Sequence, residues 1–227
     1  MPQPDWPDNP VAPRADWRDT LRAATDLALL GIVTTLASAA VLTAGAALAT
    51  ASGAIHRWTV DGHWPSLREL AGTFWRGLLP GAVASAVALV GVALLGGNAV
   101  LISAGVVPGG PVMLAGTLLL IALVAGLAGI VVVEIGRAGL DPPAESDPPA
   151  ESDPPAESDP PAGSGWRAAA RAAWLIAERR PLAVLSAAGV VSLAALLTAL
   201  TMPILAPILL GYTLFALHTV LRRLAPQ

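Results

Sequence analysis

Few residues of this chain are equipped for chemistry, and their spacing limits what they do. Three histidines, His56, His63 and His218, are scattered with no ligand spacing among them, and cysteine is absent. That removes disulfides, thiolate metal sites and cysteine nucleophiles. Glu134 stands one helical turn before Arg137 at the end of an apolar run, where it could pair with Arg137, although a solvated side chain is the preferred reading. The densest polar set lies in otherwise apolar sequence: Thr34, Thr35, Ser38, Thr43, Thr50 and Ser52. Such hydroxyls either hydrogen-bond between helices or line a polar path. Thr34, Thr35, Ser38, Thr43 and Thr50 are the candidates for a path. There is no nucleophile–base motif, phosphate-binding glycine loop or dinucleotide fingerprint. The pattern argues against an enzyme and gives no catalytic, cofactor or metal residues.

The elements that must position these residues are membrane spans. Leu27–Ile55, Gly77–Val133 and Pro181–Leu221 contain no charged residue, and together they hold 127 of the 227 residues. Hydrophobic residues make up 55% of the chain and mean hydropathy is +0.66. A soluble core of this size could not hide so much apolar surface. A bilayer core of about 30 Å needs ~20 apolar residues in a helix. The expected fold is therefore all-α, a polytopic transmembrane bundle with five apolar spans. These fall at about 27–55, 77–96, 111–133, 182–200 and 203–221. Gly96-Gly97-Asn98 and Pro108 to Pro111 supply the turn between the second and third spans.

No ionisable group falls mid-span, which argues against a self-sufficient proton-coupled pump. Two amphipathic helices are expected at the interface. One covers 66–76, opened by the capping box Ser66-Leu67-Arg68-Glu69. The other covers 166–180, with Trp166, Ala170, Ala173, Trp174 and Ala177 on one stripe. Residues 1–16 are Pro/Asp-rich and read as disordered. An N-terminal membrane segment then covers 17–137 and a C-terminal one 166–224. Between them, 138–165 hold four hexads of the type Asp-Pro-Pro-Ala-Glu-Ser, an acidic polyproline spacer. Without the seven acids of that repeat, 13 Arg face nine acids.

All seven Trp lie outside the charge-free stretches. Trp17, Trp58, Trp75, Trp166 and Trp174 flank spans, as an aromatic belt does. With Arg57, Arg76, Arg179, Arg180, Arg222 and Arg223 they are the expected interface anchors. The positive-inside rule puts the Arg-rich loops, the acidic linker and the C-terminus in the cytoplasm. All thirteen basic residues are Arg, which with the Ala and Gly excess suggests a GC-rich bacterial genome and hence a bacterial plasma membrane. Arg14, Arg18 and Arg22 point the same way, yet a single crossing by 27–55 would put them outside. Either the segment breaks near Thr43-Ala44-Gly45 and returns as two half-spans, the preferred reading, or the N-terminus is exported with its Asp residues offsetting the Arg. Ala125 and Gly129 form a small-xxx-small contact for helix packing. The expected partners are the lipid bilayer and a membrane protein or second copy, not nucleic acid.

Leu42 to Ala51, followed by Ile55-His56-Arg57-Trp58, resembles the YesL-like family of bacterial integral membrane proteins. The Leu67–Trp75 helix and Glu178-Arg179-Arg180-Pro181 are similar to further segments of that family. Thr43-Ala44-Gly45 stands where the family has a proline at the break. The resemblance implies a role beside carbohydrate uptake and supplies no catalytic residue. The expected function is a non-enzymatic accessory to a transporter or envelope process. The alternative is a small permease using the hydroxyl-lined first segment.

Overall fold

The computed structural model describes residues 17–38, 41–106, 110–138, 164–201 and 205–224. The N-terminal segment 1–16 and most of the acidic repeat lie outside the described residues. Among them are seven α-helices and no strand: α1 Trp17–Ala37, α2 Ala44–Asp61, α3 Leu67–Ser103, α4 Gly110–Ala138, α5 Ser164–Arg179, α6 Pro181–Leu200 and α7 Ala206–Leu224. A short 3-10 turn, Val41–Thr43, precedes α2.

Four helices are long and apolar enough to cross a membrane: α1 over Thr20–Ala37, and α3, α4 and α6 over their full lengths. The expectation of five is corrected to four. By length and apolar character the last apolar stretch, expected as a span at 203–221, does not qualify, although its helix runs back beside α6. Its helix starts at Ala206 and runs on through His218, Thr219, Arg222 and Arg223, which lower its apolar character. Starting there also places Pro207 in the first turn, where a missing N–H costs no helical bond.

The first apolar stretch is two helices. α1 ends at Ala37 and α2 begins at Ala44. The Thr43 hydroxyl donates to the Ala37 carbonyl across the break. α2 then folds back beside α1: Trp64, just past α2, donates its indole N–H to Asp26 of α1 at 3.1 Å. Gly62 closes α2 with φ +74, a left-handed conformation that favours glycine.

Ser66 caps α3 as the sequence indicates. Its hydroxyl accepts the Glu69 N–H at 3.4 Å, and the Glu69 carboxylate accepts the Ser66 N–H at 3.0 Å. The amphipathic segment 66–76 and the following span form one unbroken helix of 37 residues, about 55 Å long. Gly96 and Gly97 do not stop it. The stop is a Schellman turn after Ser103: Gly105 takes φ +74, its N–H reaches the Ile102 carbonyl, and the Val106 N–H reaches Leu101. Polar satisfaction of the last carbonyls therefore sets the end at Ser103, six residues beyond Gly97.

The helices cross where small residues let backbones touch. α1 meets α7 at Gly31 and Gly211, where a Cβ on Gly31 would lie 2.9 Å from the Gly211 nitrogen. α2 meets α3 around Gly81, where a Cβ would lie 2.9 Å from the Ala46 Cα. α4 meets α6 at Gly126, where a Cβ would lie 2.8 Å from the Ala188 Cα. α4 meets α2 at Gly136, where it would lie 2.7 Å from the Ser52 Cβ. Lipid gives no hydrophobic drive between helices, so such close contacts carry the packing. Ile130, Val133, Ala173, Ala183, Ala187, Leu217 and Leu221 form one buried cluster. Leu27, Ala51, Ile55 and Leu214 form a second.

Of the sequence-derived packing pair, Ala125 and Gly129 are both half-buried. A Cβ on Gly129 would meet only Leu217 and Val191 side chains, at 3.1 Å and beyond. The tight crossing belongs to Gly126, on the neighbouring line of the helix. α5 also sits rotated from its expected stripe. Ala169 and Ala173 are buried, whereas Ala170 and Trp174 are exposed. A single residue, Arg180, separates α5 from α6.

Candidate site at the basic end of the bundle

The charged residues of the described helices gather at one end. The start of α1, the end of α2 and the start of α3 meet there through Asp26–Trp64 and Arg57–Glu69, the latter an ion pair of 3.2 Å. The end of α7 joins them, because Arg222 donates to the Thr59 carbonyl at 3.4 Å. The start of α6 joins through Arg180, which donates to the Leu224 carbonyl. Arg137, at the end of α4, pairs with Glu134, whereas the sequence favours a solvated Glu134.

A cleft of about 640 Å³ opens at this end between α2 and α7. Trp58, Thr59, Phe215, His218, Thr219, Arg222 and Arg223 line it. One wall is a short aromatic stack. Trp58 lies on Trp64 with ring centroids 5.2 Å apart and planes 11° from parallel. Phe215 tilts onto Trp58 at 5.7 Å. The Asp26 carboxylate holds Trp64 from behind, so the stack is fixed at its outer end. Arg222 and Arg223 form the other rim, and both are exposed.

The floor is His218, only 1% exposed. Its Nδ1 lies 3.0 Å from the Leu214 carbonyl oxygen, and its Nε2 lies 3.5 Å from the Ser52 hydroxyl. A carbonyl only accepts, so Nδ1 carries the proton and Nε2 is left to accept from Ser52. In outline this is a serine beside a base. Ser52 is fully buried, however, and Gly136 of α4 lies against it. No substrate carbonyl reaches its hydroxyl. The pair joins α2 to α7 and satisfies two polar groups inside the bundle.

The sequence does not reveal this pair. In sequence His218 is one of three scattered histidines, whereas the structure buries it. The two partners are 166 residues apart, so no local motif could join them. The one available signal is that Ser52 belongs to the hydroxyl run.

Of the other hydroxyls of that run, Thr43 spans the break to α1 and the rest serve their own helices. Thr34 donates to Leu30, Thr35 to Gly31, Ser38 to Thr34 and Thr50 to Ala46, at 2.7 to 2.8 Å. None of them lines the cleft at α2 and α7. The anchors divide. Trp17, Trp75 and Trp174 project outward, with Trp75 71% exposed. Trp58 and Trp166 are half-buried. Arg57 is held by Glu69, and Arg76 bonds its own helix at Gly72. Arg179 and Arg180 line a smaller cleft of about 250 Å³ with Arg137, on the α5–α6 side of α7.

No family model matches this chain, and neither does any curated protein or solved structure.

Proposed function

We propose that the protein is a non-enzymatic, multi-pass component of the bacterial plasma membrane, an accessory to a transporter or envelope process. Its Arg-rich end, acidic linker and C-terminus face the cytoplasm. The observation that carries this reading is the far half of the α3–α4 hairpin. There α3 is exposed at Val87, Leu89, Val90, Val92, Leu94 and Val100, and α4 at Val112, Leu118, Leu119 and Leu120. Asn98 of α3 donates to Thr117 of α4 at 3.1 Å and holds the two together. The hairpin thus leaves broad apolar flanks for lipid and for the helices of another membrane protein. The resemblance of residues 42–58 to the YesL-like family supports placing this role beside carbohydrate uptake.

The spans themselves hold no ionisable side chain between Gly77 and Val133. Proton-coupled carriers place such groups at that depth. The purified full chain in liposomes should therefore show no sugar or ion flux above protein-free vesicles. Substrate-dependent flux from the protein alone would replace the accessory reading with that of a permease.

A further inference from the structure

We propose that the cleft between α2 and α7 binds an anionic phospholipid, with the headgroup phosphate on Arg222 and Arg223 and the upper acyl chain along Trp58 and Phe215. This rests on the membrane reading above but not on the accessory role.

Three features point to this occupant. The first is unspent positive charge. Glu69 is paired with Arg57 and Glu134 with Arg137, away from the cleft. Arg222 spends one N–H on the Thr59 carbonyl at 3.4 Å, and its guanidinium keeps further donors for a phosphate. Arg223 stands beside it on the same rim. The second is shape. At about 640 Å³ the cleft admits a phosphate together with the glycerol region behind it. The Trp58–Trp64 stack, fixed by Asp26, gives it a preformed apolar wall. The third is position. Both arginines lie in the last turn of α7, at the end where the bundle's charges and aromatic residues gather. Basic pockets between helices on the cytoplasmic side meet anionic headgroups at this depth. A soluble phosphate has no use for the Trp58–Phe215 wall, which favours lipid as the source.

The test uses full-length protein in phosphatidylcholine vesicles. Phosphatidylglycerol or phosphatidylcholine, each brominated near the top of its acyl chains, is added at equal mole fraction, and tryptophan quenching is followed. Brominated phosphatidylglycerol should quench at lower concentration. Each arginine contributes roughly a fivefold factor at the membrane surface, so the pair gives about twenty-fivefold. R222Q/R223Q should abolish the preference. R222K/R223K, which keeps both charges, should retain most of it. R68Q/R76Q, which removes two arginines outside the cleft, should leave it intact. Inorganic phosphate should not relieve the quenching. Equal quenching by the two lipids in the unmodified chain overturns the proposal. So does a preference that survives R222Q/R223Q or vanishes in R222K/R223K. Equal loss in R68Q/R76Q would assign the effect to the general field of the basic end. Relief by inorganic phosphate would make this a site for a free anion.

Discussion

At the scale of the residue, contact distance separates glycines that the sequence presents as equivalent. α4 and α6 are rich in Ala and Gly, and a small-xxx-small pattern is common in such helices. Ala125 and Gly129 fit the pattern, yet the backbone contacts form at Gly126 and Gly136. Periodicity identifies an apolar helix, but not which of its lines faces a neighbour when nearly every line is small and apolar. Gly136 and Gly189 show the consequence. A Cβ at Gly136 would press into the Ser52 side chain and the Gly53 nitrogen at 2.7 and 2.8 Å, whereas one at Gly189 meets nothing within 4 Å. Gly136→Ala should destabilise the bundle by about 1–3 kcal/mol, the usual range for overpacking. Gly189→Ala should be neutral or slightly stabilising, since alanine is the better helix former. Thermal unfolding of the two variants in the same detergent checks the difference in sign. Equal melting temperatures would mean that the α2–α4 crossing is not tight.

At the scale of the element, local chemistry is legible in the sequence and long-range chemistry is not. The capping box at Ser66 can be read because its partners are three residues apart, and it forms. The end of α3 cannot, because Gly96-Gly97 looks like a turn in isolation. A helix in an apolar setting continues until its carbonyls find other donors, and here that happens at Gly105 and Val106. The 29-residue first stretch is readable as awkward in length, and the structure divides it between Ala37 and Ala44. A crossing by α1 and a return by α2 would remove the conflict over Arg18 and Arg22. With α2 folded back on α1, Arg18 at the start of α1 lies at the same end as Arg68 and Arg223. The chain has no cysteine, so single substitutions give a clean report of sidedness. Arg18→Cys, Arg68→Cys and Arg223→Cys should react with a membrane-impermeant thiol reagent from the cytoplasmic side of inverted vesicles. Ser103→Cys, at the far end of α3, should react only from the opposite side. Labelling of Arg18→Cys from the side of Ser103→Cys would show that α1 and α2 make one crossing instead of a hairpin.

At the scale of the whole molecule, the acidic repeat divides the sequence in two, but the helices on either side do not form two bodies. α7 packs along α1, and α6 packs along α4, so the C-terminal helices close over both ends of the N-terminal set. The sequence shows two membrane segments and a spacer. It does not show this interlock, because the Gly31–Gly211 and Gly126–Ala188 crossings join residues from opposite sides of the spacer. Apolar helices inserted separately can still find one another by close packing within the bilayer. Two co-expressed fragments, 1–140 and 164–227, should therefore co-purify in detergent and melt close to the intact chain. The first fragment alone should be far more sensitive to protease, because Gly31 of α1 and Gly126 of α4 lose their partners. The covalent link would then supply only proximity, and deleting 141–163 from the intact chain should shift the melting temperature little. Failure of the fragments to associate, with each stably folded alone, would mean that α1–α7 and α4–α6 are weak contacts and that the spacer does join two independent bodies.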